Sequence, residues 1–443
     1  MTITSINDRT AVQDRVAEFR ERLAEELGTE VISTDPKVIR KLSSDWSRLS
    51  PILMEKLPPG RFMADLVVRP ASVDDVPRIL RLAYEHDVPV TPRGAGTGNY
   101  GQATPFAGGL LLDLRRLDRV VEIGGGFVRA EAGARLTAVD RRVREAGHDI
   151  WMFPSTKNSS IGGFIAGGSA GTGTIKHGTV ADGWIRELRV APCDGSGTDF
   201  WVGGPDTVAY THAYGVSGIV TEVVVRTDPA REWLAFYASF PAYEQAVEVH
   251  RRLPELPILP RLASADEPPL VPSLPAPIEL DPGRTSLRII LEPSMVETVS
   301  RWVAEAGGEV VGVLEGYEQT DRLSGMSYNH PIYFRQRAGH PCFHLEVNGR
   351  PLWDDPDAVK SVYPNSMIHL ELGPNRGPFG MLAADYESEA QVLAGFARLN
   401  EIGIDIHSPH QWNVDRHVEQ ILATVPRTDP KGLLNPGKLH RSP

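Results

Sequence analysis

Between Pro89 and Gly109 the chain reads Arg93-Gly94-Ala95-Gly96-Thr97-Gly98-Asn99-Tyr100-Gly101 at its centre, with glycine at every second position from Gly94 to Gly98. An apolar run, Val88 to Val90, leads in as a strand. Glycine permits φ > 0 and close approach of the backbone, so successive amides can face one anionic hollow. The natural occupant is a phosphate or pyrophosphate. Gly96 to Gly101 also fits G-x-G-x-x-G, but a dinucleotide turn of that kind needs a helix opening at its last glycines. Pro105 and Gly108-Gly109 follow at once, so no helix starts there. A merely flexible turn is the plainer alternative, yet it needs one or two glycines rather than an alternating array beside an arginine.

A second glycine-rich segment runs from Pro154 to Gly178. Structureless stretches of that length are uncommon without a function. Its pairing with the first loop points to a ligand held between the two.

Together these segments resemble the vanillyl-alcohol oxidase / p-cresol methylhydroxylase (PCMH) flavoprotein family. The likeness extends through Val67-Val68-Arg69-Pro70, Leu111-Leu112-Asp113-Leu114, Gly133, Ser160-Ile161-Gly162-Gly163, Lys176-His177-Gly178, Gly215 and Gly218-Ile219-Val220-Thr221. It resumes at Asp429-Pro430-Lys431-Gly432-Leu433-Leu434-Asn435-Pro436-Gly437-Lys438-Leu439. The resemblance implies FAD as cofactor. Pro92, Arg93, Gly94, Ala95, Gly96, Thr97 and Gly98 would form its phosphate loop. Pro154, Ser155, Ser160, Ile161, Gly162, Gly163, Gly167 and Ser169 would follow the pyrophosphate, ribose and flavin edge. His177, Gly178, Gly218 and Val220 would lie toward the adenine, and Asn435 would return from the tail. Members that tether the flavin carry histidine where this chain has Thr97 or cysteine where it has Asn158, so the FAD is expected to be non-covalent.

At 443 residues the chain is too long for one ordinary core. Ala11 to Leu27 has a helical apolar face of Val12, Val16, Phe19 and Leu23, ending at Gly28. Val76, Ile79, Leu80 and Ala83 give a second such face, with Ser72 and Asp75 as an acidic capping box. After Pro229 the text reads strand, helix, then nine prolines between Pro254 and Pro282 that argue against any regular element of length. A strand at Ser286–Leu291, a helix at Ser294–Gly307 and a strand at Glu309–Leu314 follow. Strands at Cys342–Val347 and Met367–Leu372 come next, then helices at Glu389–Glu401 and Val414–Ala423. The expected fold class is α+β. An N-terminal helical segment (1–60) precedes a two-subdomain PCMH-type FAD-binding domain (61–230). A ferredoxin-like α+β cap (231–412) and a tail returning to the FAD domain (413–443) complete it.

Lys plus Arg number 46 against 57 Asp plus Glu, a net charge of −11, and no basic run stands out. Nucleic acid is therefore not an expected partner. Two cysteines, Cys193 and Cys342, suggest neither a disulfide framework nor a metal site, and no metal is expected. No membrane span or leader pattern is read, and a cytoplasmic location is expected. A homodimer is left open.

The expected reaction is oxidation of a hydroxyl-bearing carbon of a small-molecule substrate, with O2 or another acceptor reoxidising the flavin. Tyr100 is the expected pocket residue, because it alone is tied by sequence to the loop over the flavin. One of His330, His369, His407 or His410 is the expected base. Arg335 is the weaker candidate for a carboxylate or phenolate partner. Two branches compete: the glycolate oxidase D-subunit branch, which acts on 2-hydroxy acids, and the phenol-oxidising branch. The first lacks here its Gly-Asp-Gly-Asn-Leu-His and Glu-His-Gly segments. The second finds Tyr100 in place but Gly171 where it carries an aspartate. A cell-wall precursor reductase and a non-catalytic FAD- or nucleotide-binding module remain as further readings.

Overall fold

The computed structural model describes residues 9–440, with side chains from Asp14 onward, so the Val12 side chain and residues 1–8 and 441–443 lie outside it. The helix Arg9–Leu27 buries Val16, Phe19 and Leu23 against the helix Asp75–Glu85. In the latter, Val76, Ile79, Leu80 and Ala83 are fully buried, each larger aliphatic side chain worth about 1.5–3 kcal/mol relative to exposure. Its capping box forms by half. Asp75 Oδ2 accepts the amides of Ala71 and Ser72 at 2.9 Å, while the N-cap position is Asp74.

These helices cover a four-stranded sheet in the order Ile32–Ser33, Leu66–Val68, Leu110–Asp113, Val90–Arg93, the last three parallel. The strand begins at Val90 and runs to Arg93, later than its apolar residues suggest. The glycine loop thus leaves from its carboxyl end, the side on which open α/β sheets bind ligands. The tail docks on this strand: Val90 donates to the Leu433 carbonyl at 2.8 Å and Asn435 to the Val90 carbonyl at 2.7 Å. A second, antiparallel sheet runs Val120–Gly124, Phe127–Glu131, Ile219–Pro229, Ile185–Ala191, Phe200–Gly203, with His148–Ile150 paired to the far end of Ile219–Pro229. Together the two sheets make the expected two-subdomain arrangement.

The cap is one eight-stranded sheet built from two βαββαβ units. In the first, Leu234–Phe240, Leu262–Asp266, Thr285–Leu291 and Glu309–Leu314 lie in the order fourth, first, third, second, the ferredoxin-like order. In the second, Cys342–Asn348, Met367–Leu372, Pro378–Asp385 and Asp405–His407 repeat it. The units join where the second strand of one pairs antiparallel with that of the other, Ser264 opposite Glu371 and Asp266 opposite His369.

The proline-rich stretch therefore does hold a regular element, contrary to expectation. Pro260, Pro268 and Pro269 flank the strand Leu262–Asp266, where the missing N–H breaks no ladder, and none falls inside it. The last helix is Val418–Thr428 rather than Val414–Ala423. Val414 stays outside the helix, its amide donating to the Lys438 carbonyl at 2.7 Å, and His417 takes φ 55° to start the helix. Cys193 and Cys342 are buried free thiols. Among the described residues no helix is long and apolar enough to cross a membrane.

Candidate functional site

A cavity of about 770 Å3 lies between the two glycine segments and the cap. Pro92 to Gly98, Tyr100, Pro154, Ser155, Ser160, Gly162, Gly163, Gly167, Ser169, Gly218, Val220 and His330 are on its wall. Ser160 joins the two segments. Its hydroxyl caps the helix Ile161–Gly167 by accepting from Gly163 at 3.3 Å and accepts from Ala95 at 3.4 Å.

The glycines are required by what stands behind them. A Cβ on Gly94 would overlap the Ser160 hydroxyl, and one on Gly162 would lie 2.9 Å from the Ala132 carbonyl oxygen. Gly96 has φ +72°, and a Cβ there would overlap the Arg93 guanidinium. Among the described residues, no protein acceptor takes the amides of Gly96, Thr97 and Gly98. This cradle of close-set backbone with free N–H groups fits the diphosphate of FAD. Arg93 works from beneath: its Nη1 donates to the carbonyls of Leu42 and Ser44 at 2.9 and 2.8 Å, bracing the loop.

Other predicted residues support the wall rather than form it. Ile161 is buried in the second subdomain's core. His177 stacks on Trp151 with ring centroids 4.2 Å apart, and Gly178 ends its short helix at φ 77°. Asn435 is buried, its Nδ2 donating to the carbonyls of Gln102 and Tyr214.

The histidine candidates separate. His330 reaches the cavity, but its ring nitrogens are engaged by the Gly325 carbonyl at 2.7 Å and by Thr156 Oγ1 at 2.8 Å. His369 does not reach it. The ring is enclosed at the seam of the cap sheet between Asp266 and Glu371, both at 2.8 Å, and these carboxylates raise it to about 9 against the opposing effect of burial. His410 is turned away onto Ser50 Oγ at 2.7 Å, and burial lowers it to about 3. Arg335 is not on the cavity wall; it is partly buried and its Nη1 donates to the Pro269 carbonyl at 2.7 Å.

His407 lies one side chain behind the wall, in a chain of polar groups. Tyr100 donates its hydroxyl hydrogen to Glu346 Oε1 at 2.5 Å. Glu346 Oε2 takes His407 Nδ1 at 2.9 Å, and His407 Nε2 stands 2.9 Å from Asp415 Oδ2. Burial alone would raise the Glu346 carboxyl; the charge and hydrogen bond of His407, with the Tyr100 hydroxyl, instead hold it at about 2. Burial opposes a charged His407, yet Glu346 and Asp415 raise it to about 10. Burial and the adjacent Glu346 push Tyr100 well above its ordinary range, so it stands as a neutral phenol beside a carboxylate.

Sequence reading missed Glu346, His212 and Asp415. A signal existed for the first. Phe343, Leu345 and Val347 enter the large cap core, and the period of two puts His344 and Glu346 on the other face. His212 sits in an irregular stretch with φ 52° and carried no such signal.

Residues 64–200 match the FAD binding domain family. The chain is similar to the glycolate oxidase subunit GlcD of Bacillus subtilis, 32% identical over 206 residues that cover 43% of this chain and 43% of that protein. It is 28% identical to D-lactate dehydrogenase of Archaeoglobus fulgidus over 42% of this chain and 45% of that one. The matched region thus spans less than half the length of either relative. In fold it resembles an alkyldihydroxyacetonephosphate synthase, with TM-score 0.75 and 17% identity over 95% of this chain and 85% of that one.

Proposed function

We propose that this chain, whose residues 64–200 match the FAD binding domain family, is an FAD-dependent oxidoreductase related to the vanillyl-alcohol oxidase / p-cresol methylhydroxylase flavoproteins that oxidises the hydroxyl-bearing carbon of a 2-hydroxy acid. The observation that carries the reading is the Tyr100–Glu346 pair on the cavity wall. Because the Tyr100 O–H is donated to Glu346, its oxygen is left to accept a hydrogen from a substrate hydroxyl. As the substrate carbon is oxidised, the hydroxyl proton passes to the Tyr100 oxygen while the tyrosine's own hydrogen passes to Glu346 Oε1. His407 holds the other carboxylate oxygen and keeps the pair aligned. Bound FAD supplies the acceptor for the hydride that leaves the same carbon.

A substrate carboxylate has partners as well. Arg48 and Arg337 are on the cavity wall, and among the described residues neither is in an ion pair. Two similar proteins are named for glycolate and D-lactate, both 2-hydroxy acids. The arrangement argues against a phenolate. Holding that anion at Tyr100 requires a donor, and the Tyr100 hydrogen is already committed to a carboxylate whose charge would repel it.

The test is anaerobic mixing of the FAD-bound protein with glycolate, D-lactate and longer 2-hydroxy acids, and separately with 4-alkylphenols, while following the flavin band. Bleaching by a hydroxy acid is expected. Bleaching by phenols alone would overturn the reading.

A further inference from the structure

We propose that His212, His407 and Asp415 form a binding site for one divalent metal ion of the Zn2+ or Mn2+ class. The inference is independent of the hydride-transfer reading, since it rests only on how these side chains face one another. The three come from separate parts of the fold. His212 precedes the strand Ile219–Pro229 of the FAD-binding domain, His407 ends the last strand of the cap, and Asp415 lies in the irregular segment before the final helix. Their ligand atoms all fall within 4.8 Å of one another. Asp415 Oδ2 is 2.9 Å from His407 Nε2, and its Oδ1 is 3.7 Å from His212 Nε2. Around a tetrahedral ion with bonds of about 2.0–2.2 Å, ligand atoms are roughly 3.3–3.6 Å apart, so closing the set needs only a small side-chain rotation.

The groups behind the ligands are what a metal site needs. A metal-bound histidine ordinarily gives its other ring N–H to a carboxylate or a backbone carbonyl, which fixes its tautomer and aim. Here His407 gives Nδ1 to Glu346 Oε2 at 2.9 Å, and His212 gives Nδ1 to the Gly168 carbonyl at 3.3 Å. Both Nε2 atoms then turn toward Asp415. With its hydrogen on Nδ1, His212 presents the Nε2 lone pair; the Tyr214 hydroxyl 3.0 Å away donates to it, and an ion bound there would displace that hydrogen bond. His407 Nε2 is buried and, despite its closeness to Asp415, has no well-aligned hydrogen bond. A protonated imidazole shared by two carboxylates would be the simpler arrangement, but it leaves that misalignment of His407 Nε2 without a reason.

Two imidazoles and one carboxylate suit a borderline divalent ion rather than a soft monovalent one. A second cavity of about 290 Å3 opens beside His212, bordered by Gly168, Ser169, Thr211 and Arg416. It offers a way in and room for water or an anion to complete the coordination. Arg416 opposes a cation there and limits its affinity, while favouring an anionic fourth ligand. An ion so placed would hold His407, and through it Glu346 and Tyr100, in one geometry.

The FAD-bound protein, stripped with chelator and dialysed, should be titrated with Zn2+ and with Mn2+ by calorimetry and its metal content measured by elemental analysis. One saturable equivalent per chain is expected for at least one ion. Asp415→Asn and His212→Gln should abolish it, Glu346→Gln should weaken it 10- to 100-fold as loss of an outer partner does, and the exposed control His340→Ala should leave it unchanged. Asp415 is 31% exposed, so its variant is the least disturbing, and retained FAD reports that it has folded. Absence of saturable binding by either ion, or unchanged affinity in folded Asp415→Asn, would overturn the site. Either result leaves the flavin chemistry untouched.

Discussion

The Tyr100 hydroxyl and Glu346 Oε1 lie 2.5 Å apart across the boundary between the FAD-binding domain and the cap, which makes this end of the cavity a joint product of both. Tyr100→Phe and Glu346→Gln, each with FAD retained, should slow anaerobic flavin reduction by the substrate on the order of 100- to 10,000-fold, the usual cost of losing a general base. His369→Asn, remote from the cavity, should stay within about threefold, less than roughly 1 kcal/mol of barrier. Equal rates in all three would remove Tyr100 and Glu346 from the chemistry.

Gly96→Val should empty the cofactor site. The residue has φ +72°, which a branched side chain resists, and its Cβ would displace the Arg93 guanidinium that braces the loop from Leu42 and Ser44. The purified variant is expected colourless but folded by circular dichroism. Stoichiometric FAD in it would show that the cradle lies elsewhere.

The flavin should leave the protein on acid precipitation and colour the supernatant. Thr97 Oγ1 is paired with Ser159 Oγ at 2.6 Å, Asn158 is exposed, and His330, though on the wall, has both ring nitrogens engaged. A yellow pellet would mean that a covalent bond forms all the same.

The seam of the cap should weaken in alkali. Folding raises His369 to about 9 from an ordinary value near 6.5 because Asp266 and Glu371 hold its charge. A group raised on folding contributes fully below the unfolded value, and the contribution disappears as pH climbs through the folded one. Thermal melts from pH 6 to pH 10 should therefore fall chiefly between about 6.5 and 9. The slope should flatten in His369→Ala, which is itself destabilised because the buried Asp266 and Glu371 lose a shared cation, although Asp266 keeps Arg288 and Glu371 keeps Ser264. An identical pH slope in the variant would show that other groups set it.

What could be read from the sequence was whatever is written in consecutive residues. The glycine alternation at Gly94–Gly98, the i, i+3, i+4, i+7 face from Val76 to Ala83 and the tail motif ending at Lys438 each carry their meaning within a dozen positions. The strand Leu262–Asp266 was hidden because its evidence is its neighbours, Thr285–Leu291 on one side and Met367–Leu372 on the other. His369 and Glu371 do share one face of a strand, as their spacing implies, but spacing does not tell whether that face meets a cavity or a packed seam. Glu346 was half legible: alternation along 343–347 puts it off the core face, but only the cap's placement over the glycine loops turns its carboxylate toward the cavity.

The tail that pairs with Val90 gives the molecule an order of assembly. Leu433 and Asn435 complete the edge of the very strand from which the phosphate loop departs, and Asn435 also ties Gln102 to Tyr214. On a ribosome, the glycine loop emerges long before its last structural partner. The half-built first subdomain must wait through synthesis of the whole cap before its edge is covered, a non-local closure of the kind that slows folding. A nascent chain stalled within the cap would present the strand that carries the phosphate loop with its Val90 edge still uncovered.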